Sequence, residues 1–193
     1  MTTTITRVVD AAGGGDFTSI QSAWDGISTL VGSFDLVSED TQVVFEVVAG
    51  NYTENLNFAG SITTDATRNV VFIAQSGSEH GGQFGSGAHI EGSLGVSKDF
   101  VSVEGLSLTL AAGTAVSISS GAVGISLNDL VVHALDGRSF QLAQGGTAAD
   151  PCVVKNCIAK SDDLRTFDIR AANAESHWRV CNCTIIASGN NQA

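Results

Sequence analysis

Val101-Ser102-Val103-Glu104-Gly105-Leu106-Ser107-Leu108, Ile125-Ser126-Leu127-Asn128-Asp129-Leu130-Val131-Val132, Cys152-Val153-Val154-Lys155-Asn156-Cys157-Ile158-Ala159 and Trp178-Arg179-Val180-Cys181-Asn182-Cys183-Thr184-Ile185 spell one eight-residue pattern four times. Each reads apolar, any, apolar, any, turn residue, apolar, any, mostly apolar. The fifth slot holds Gly105, Asp129, Asn156 and Asn182, residue types that enter the left-handed backbone region at little steric cost. Two short strands therefore meet at a fixed bend in every repeat. The repeats start at Val101, Ile125, Cys152 and Trp178, separations of 24, 27 and 26 residues, which is the scale of one turn of a β-solenoid.

Upstream, Val70-Val71-Phe72-Ile73 and Val43-Val44-Phe45-Glu46-Val47 are apolar, β-branched runs at similar intervals, so about six coils are expected. At the ordinary strand spacing of about 4.8 Å, six coils form a column about 29 Å long. Equivalent residues then stack: Leu106, Leu130, Cys157 and Cys183 form one inward column, and Val103, Leu127, Val154 and Val180 another. An antiparallel sandwich also alternates apolar and polar residues, but it leaves the recurring bend residue unexplained. The expectation is an all-β chain, a single-stranded parallel β-helix forming a single domain over residues 1–193. Its parts are an N-terminal cap with a short α-helix (1–35), the coils (36–187) and a short C-terminal tail (188–193).

The chain has 193 residues, 43% of them hydrophobic, with one proline and 22 glycines. That composition suits one core, many strands and tight turns. Met1 to Arg7 contains no apolar run, so no secretory signal is read there, and no stretch reaches transmembrane length. Nine Lys and Arg against 20 Asp and Glu leave a net charge of −11, which disfavours nucleic acid and anionic membrane surfaces as partners. Four cysteines without a secretory signal are read as reduced thiols. Stacking puts Cys157 beside Cys183 within disulfide reach, yet small buried cysteines fill cores as thiols, and Cys181-Asn182-Cys183 lacks zinc-ligand spacing.

In the N-terminal third, Gly13-Gly14-Gly15-Asp16-Phe17 leads into Thr18-Ser19-Ile20-Gln21-Ser22-Ala23-Trp24. Thr18 or Ser19 is placed to cap a helix, and Ile20, Ala23, Trp24, Ile27 and Val31 fall on one face. Such a helix can cover the open edge of the first coil. The segment Gly14 to Ala23, followed by Val43 to Val47 and by Gly50-Asn51-Tyr52-Thr53-Glu54, resembles the opening of pectinesterase-like proteins of the pectin-lyase-like superfamily of right-handed parallel β-helices. Small virion proteins of tailed phages resemble the same opening. The resemblance covers roughly residues 7 to 75 and implies a right-handed β-helix with a capped N-terminus.

The catalytic half of that family pattern is missing. The family carries two aspartates, an oxyanion-stabilising glutamine and an arginine in QAVAL-like, DFIFG-like and LGRPW-like motifs, and none occurs here. Phe167-Asp168-Ile169-Arg170 and Gly137-Arg138-Ser139-Phe140 are weak echoes in the wrong chain order. Tyr52 is expected to pack and Glu54 to be solvated. The glycine-rich stretch Ser76 to Gly92 holds Glu79, His80, His89 and Glu91, residue types able to share a metal or a proton, and is read as a mobile or partner-contacting loop. Asp162-Asp163 is read as a solvated pair, and His133 and His177 have no visible partners.

After the last repeat only Ser188 to Ala193 remains, so the final coil is expected to need cover from outside the chain. These readings converge on a non-enzymatic virion structural protein, a phage capsid decoration (cement) protein or a head or tail appendage, located in the virion. No catalytic residue, cofactor or metal is assigned. The expected partners are other virion proteins, capsid or tail subunits, and further copies of the chain, a trimer being common among viral β-helices. A carbohydrate-binding or polysaccharide-degrading β-helix is the alternative, weakened by only 6% aromatic residues.

Overall fold

The computed structural model describes residues 1–143, 145–162, 165–170 and 176–187. It is all-β with parallel sheets. In chain order the N-terminal part comprises β1 (Thr3–Val9), α1 (Ile20–Asp25), α2 (Ile27–Val31), β2 (Thr41–Val47), β3 (Gly50–Tyr52), β4 (Leu56–Phe58) and β5 (Val70–Ala74). The middle comprises β6 (Ala88–Glu91), β7 (Leu94–Val96), β8 (Val101–Glu104), β9 (Ser107–Ile118), β10 (Ser126–Asn128) and β11 (Val131–Leu142). The last part holds β12 (Cys152–Lys155), β13 (Ile158–Ser161), β14 (Arg165–Ile169), β15 (Trp178–Cys181) and β16 (Thr184–Ala187).

One sheet of seven strands runs β1-β2-β5-β8-β10-β12-β15, every neighbour parallel. Spatial order therefore follows chain order, with the intervening chain carrying each strand's successor to the next position. The six apolar runs counted in the sequence supply six of these strands. The seventh is β1, whose threonines leave one face polar and which pairs with β2 from Thr3↔Thr41 to Val9↔Val47. The second sheet runs β16-β13-β11-β9-β6-β3, with β14 joining β11 and β7 bridging β4 to β9.

The bend residues join the two sheets. Gly105, Asp129, Asn156 and Asn182 have φ of 73°, 51°, 55° and 52°, and each lies between a strand of the first sheet and one of the second. Two of them, Asn156 and Asn182, form a side-chain relay with Asn128 and Glu104, which precede the other two bends. Asn182 Nδ2 donates to Asn156 Oδ1 at 2.7 Å, Asn156 Nδ2 to Asn128 Oδ1 at 3.1 Å, and Asn128 Nδ2 to Glu104 Oε1 at 2.8 Å. Each rung satisfies a polar group at a sharp turn while fixing the register of successive strands.

Inside, Val103, Leu127 and Val154 align across β8, β10 and β12. Leu106, Leu130 and Cys157 are buried one residue past the bend, their carbonyls accepting from Val131, Ile158 and Thr184. Both columns end in more open positions, Val180 and Cys183. Nearer the N-terminus the core is aromatic: Phe45, Phe72 and Phe58 stack at centroid distances of 4.8 and 4.6 Å, Trp24 stacks on Phe58 at 4.8 Å, and Phe17 meets Phe45 edge-on at 5.8 Å.

Several expectations on local structure are corrected. The single capping helix is two short ones broken at Gly26, where a Cβ would sit 2.9 Å from the Phe17 ring. As expected of Thr18 or Ser19, one of the two caps the helix: it is Ser19, accepting from Ser22 N–H at 3.0 Å. Ser76 to Gly92, read as a loop, contains the strand β6; β11 is also long, pairing with β9 as far as Leu142↔Ile118. Their Ala, Gly and Ser content hides strands whose side chains face close neighbours: at Gly137 a Cβ would collide with the Gly113 carbonyl. The tail 188–193 lies outside the described residues.

Candidate functional site

The two ends of the sheets are finished differently. At the N-terminal end, Asp16 Oδ2 accepts from the Val8 N–H at 2.8 Å, and the N–H groups of Asp16 and Phe17 donate to the Val8 carbonyl at 2.8 and 3.1 Å. The chain thus occupies part of the free edge of β1. At β4, Gln21 substitutes for a missing strand: its Oε1 accepts from Asn57 N–H at 2.7 Å and its Nε2 donates to the Asn57 carbonyl at 3.4 Å. Trp24 Nε1 reaches the Ala59 carbonyl at 3.0 Å.

Glu54 is not solvated as expected. Its two carboxylate oxygens accept the backbone N–H groups of Ile20 and Gln21 at 2.8 and 3.0 Å, the amides that the start of α1 leaves unpaired. A carboxylate there also suits the positive end of the peptide dipoles. Tyr52 packs as expected, its hydroxyl lying 3.0 and 2.9 Å from the carbonyls of Val9 and Val48.

At the other end β15 and β16 are the last strands of their sheets, each paired on one side only among the described residues. Val180, Ile185 and Ile186 are 38%, 56% and 39% exposed there, and Ile169 on β14 is also exposed. The asparagine relay stops at Asn182, the last rung among the described residues. An apolar, unpaired edge of this kind is able to take up another strand or a flat apolar surface.

The four residues expected to contact partners do not act as one group. His80 is a buried clasp: its Nδ1 accepts from Gly82 N–H at 2.8 Å, so Nε2 carries the proton it donates to the Asp129 carbonyl at 2.7 Å. It ties the glycine-rich segment to a bend residue. Glu79 accepts from Gly77 N–H within the same segment. His89 and Glu91 stand two residues apart on β6 and line one cleft. Among the described residues no group of three or more His, Cys, Asp or Glu side chains is placed to hold a metal ion.

Other candidates resolve into pairs. His133 does have a partner, Asp162 Oδ2 at 3.0 Å, and Lys160 Nζ lies 3.0 Å from Asp162 Oδ1. Asp163 lies outside the described residues. Asp168 Oδ2 meets Arg138 Nε of the adjacent strand β11 at 3.3 Å and Arg170 Nη2, just past the end of β14, at 2.9 Å. All four cysteines are free thiols. Burial, with Cys183 and Asp129 adding to it, pushes the Cys157 thiol up to about 12, and burial also raises Cys152. No helix among the described residues is long and apolar enough to cross a membrane. No protein-family model, curated protein or solved structure matches the chain.

Proposed function

We propose that the chain is a right-handed, single-stranded parallel β-helix that serves as a non-enzymatic structural protein of a virion, a phage capsid decoration protein or a head or tail appendage, docked on a larger assembly through the end formed by β15 and β16. The β-helix reading is supported by the match between spatial and chain order in the seven-stranded sheet and by the left-handed residue at each passage between sheets. Right-handedness agrees with the near-universal hand of parallel crossovers.

The observation that carries the functional reading is the contrast between the ends. Asp16 occupies part of the β1 edge, Gln21 pairs with the backbone of β4 and Glu54 caps α1, whereas Val180, Ile185 and Ile186 stay exposed on strands that, among the described residues, pair on one side only. A column of stacked, fully buried side chains resists shear, which suits a rigid fitting. The resemblance of the opening segment to small tailed-phage virion proteins gives the assembly its class. Further copies of the chain or capsid and tail subunits are the partners proposed.

Quantitative mass spectrometry of gradient-purified particles from the source culture, set against the soluble fraction, tests the proposal. A fixed ratio to the major shell protein is expected, with hundreds of copies marking decoration and a few marking a tail part. Absence from particles would sink it, and binding and cleavage of a polysaccharide panel would then favour the carbohydrate alternative.

A further inference from the structure

A cleft of about 360 Å³ opens on the second sheet, with His89, Glu91, Leu110, Ala111 and Leu135 among its lining residues. It lies away from the exposed end and does not depend on the assembly role. His89 stacks between Asn51 of β3 and Ser107 of β9, and the residue is 4% exposed. The Ser107 hydroxyl has one proton, and it lies 2.8 Å from the Ser86 carbonyl, an oxygen that only accepts. The 2.8 Å contact between Ser107 Oγ and His89 Nδ1 must then be donated by the imidazole.

That chain of bonds fixes the neutral ring with its proton on Nδ1 and a lone pair on Nε2. Nε2 has no hydrogen-bond partner among the described residues. Burial holds His89 below the ordinary imidazole range despite the opposing pull of Glu91, so the lone pair persists at neutral pH. Glu91 projects from the same side of the strand, its two oxygens accepting from Asn51 Nδ2 at 3.4 Å and Thr53 Oγ1 at 3.1 Å.

The cleft thus presents a carboxylate and an imidazole lone pair beside an apolar wall. Anions are disfavoured by Glu91 and by the net charge of −11. A guanidinium fork pairs best with both oxygens of one carboxylate, and those of Glu91 already face Asn51 and Thr53. A tetrahedral ammonium has three protons to give to separate acceptors, which suits two groups lining one cleft. We propose that the cleft binds a protonated primary alkylamine of the size of a lysine side chain, its ammonium donating to His89 Nε2 and Glu91 while its methylene stem lies on Leu110, Ala111 and Leu135.

The test is NMR detection of the His89 ring nitrogens in labelled protein titrated with n-butylammonium chloride, with sodium butyrate at equal ionic strength as control. A blocked lysine tripeptide is titrated separately. A saturable shift of Nε2 is expected with butylammonium and none with butyrate. Glu91→Gln should weaken binding by about threefold or more, the scale of a partly solvated ion pair, whereas Glu39→Gln, at an exposed position remote in sequence, should leave it unchanged. Saturation by amine and tripeptide alike would assign a polypeptide lysine, and saturation by the free amine alone a small amine. Silence of Nε2 toward both at about 100 mM ligand, an equal response to butyrate, or undiminished binding in Glu91→Gln would overturn the proposal.

Discussion

Replacing Phe72 by alanine removes the middle ring of the aromatic stack. Phe72 is fully buried and lies 4.8 Å from the Phe45 ring and 4.6 Å from that of Phe58. A buried Phe→Ala change costs about 3–5 kcal/mol through lost transfer energy and the cavity left behind. For a domain of this size each kcal/mol lowers Tm by about 2–4 °C, so a loss near 4 kcal/mol corresponds to about 8–16 °C. Phe72→Leu keeps most of the volume but forfeits two ring pairs, each worth about 0.5–1.5 kcal/mol beyond area, and should cost about 1–3 kcal/mol. Urea unfolding followed by tryptophan fluorescence is well placed to read this, because Trp24 belongs to the same stack. A loss below about 1 kcal/mol for Phe72→Ala, or equal losses for alanine and leucine, would show that the rings are not packed as a stack.

Three further outcomes are expected. Glu54→Ala should cost about 1–2 kcal/mol, the worth of a helix cap, because it frees the amides of Ile20 and Gln21; chemical denaturation measures it, and Glu54→Gln should recover part of the loss. Native protein should expose exposed Cys181 to a thiol reagent first, half-buried Cys183 more slowly, and buried Cys152 and Cys157 only on unfolding, as peptide mapping after timed alkylation will show. Stability should fall on acidification in two windows, read by denaturation at stepped pH. His89 is held below its ordinary 6.5, so under that pH the unfolded chain takes a proton that the folded chain resists, and His89→Asn should remove this component. Asp65 is held below its ordinary 3.8 by Arg68, so its stabilisation is present above about pH 4 and is lost as the pH falls further.

The repeat was legible because a left-handed backbone tolerates few side chains, which forces Gly, Asp or Asn into the slot held by Gly105, Asp129, Asn156 and Asn182. β1 was not, since Thr3 to Val9 has too few apolar residues to read as a core strand. The second halves of β9 and β11 were missed for a similar reason: glycine and alanine there answer to a neighbouring backbone, as Gly137 does to Gly113. Long-range partners were the hardest to see. Glu54 serves amides 33 and 34 residues away, a separation that carries no local signal. The partner of His133 was recoverable in principle, because aligning the repeats sets His133 beside Lys160 and brings Asp162 within reach. His89 and Glu91 were singled out as chemical types, but the short strand that aligns them is masked by the glycines around it.

Docking through the end formed by β15 and β16 can be tested with Ile185→Lys. Ile185 is 56% exposed, so the change should alter folding stability by no more than about 0.5 kcal/mol, while a charge buried without a partner at a docked interface costs several kcal/mol. Incorporation into purified particles, measured against wild-type protein at equal concentration, should be lost while urea unfolding stays unchanged. Undiminished incorporation of the folded variant would contradict docking through this end.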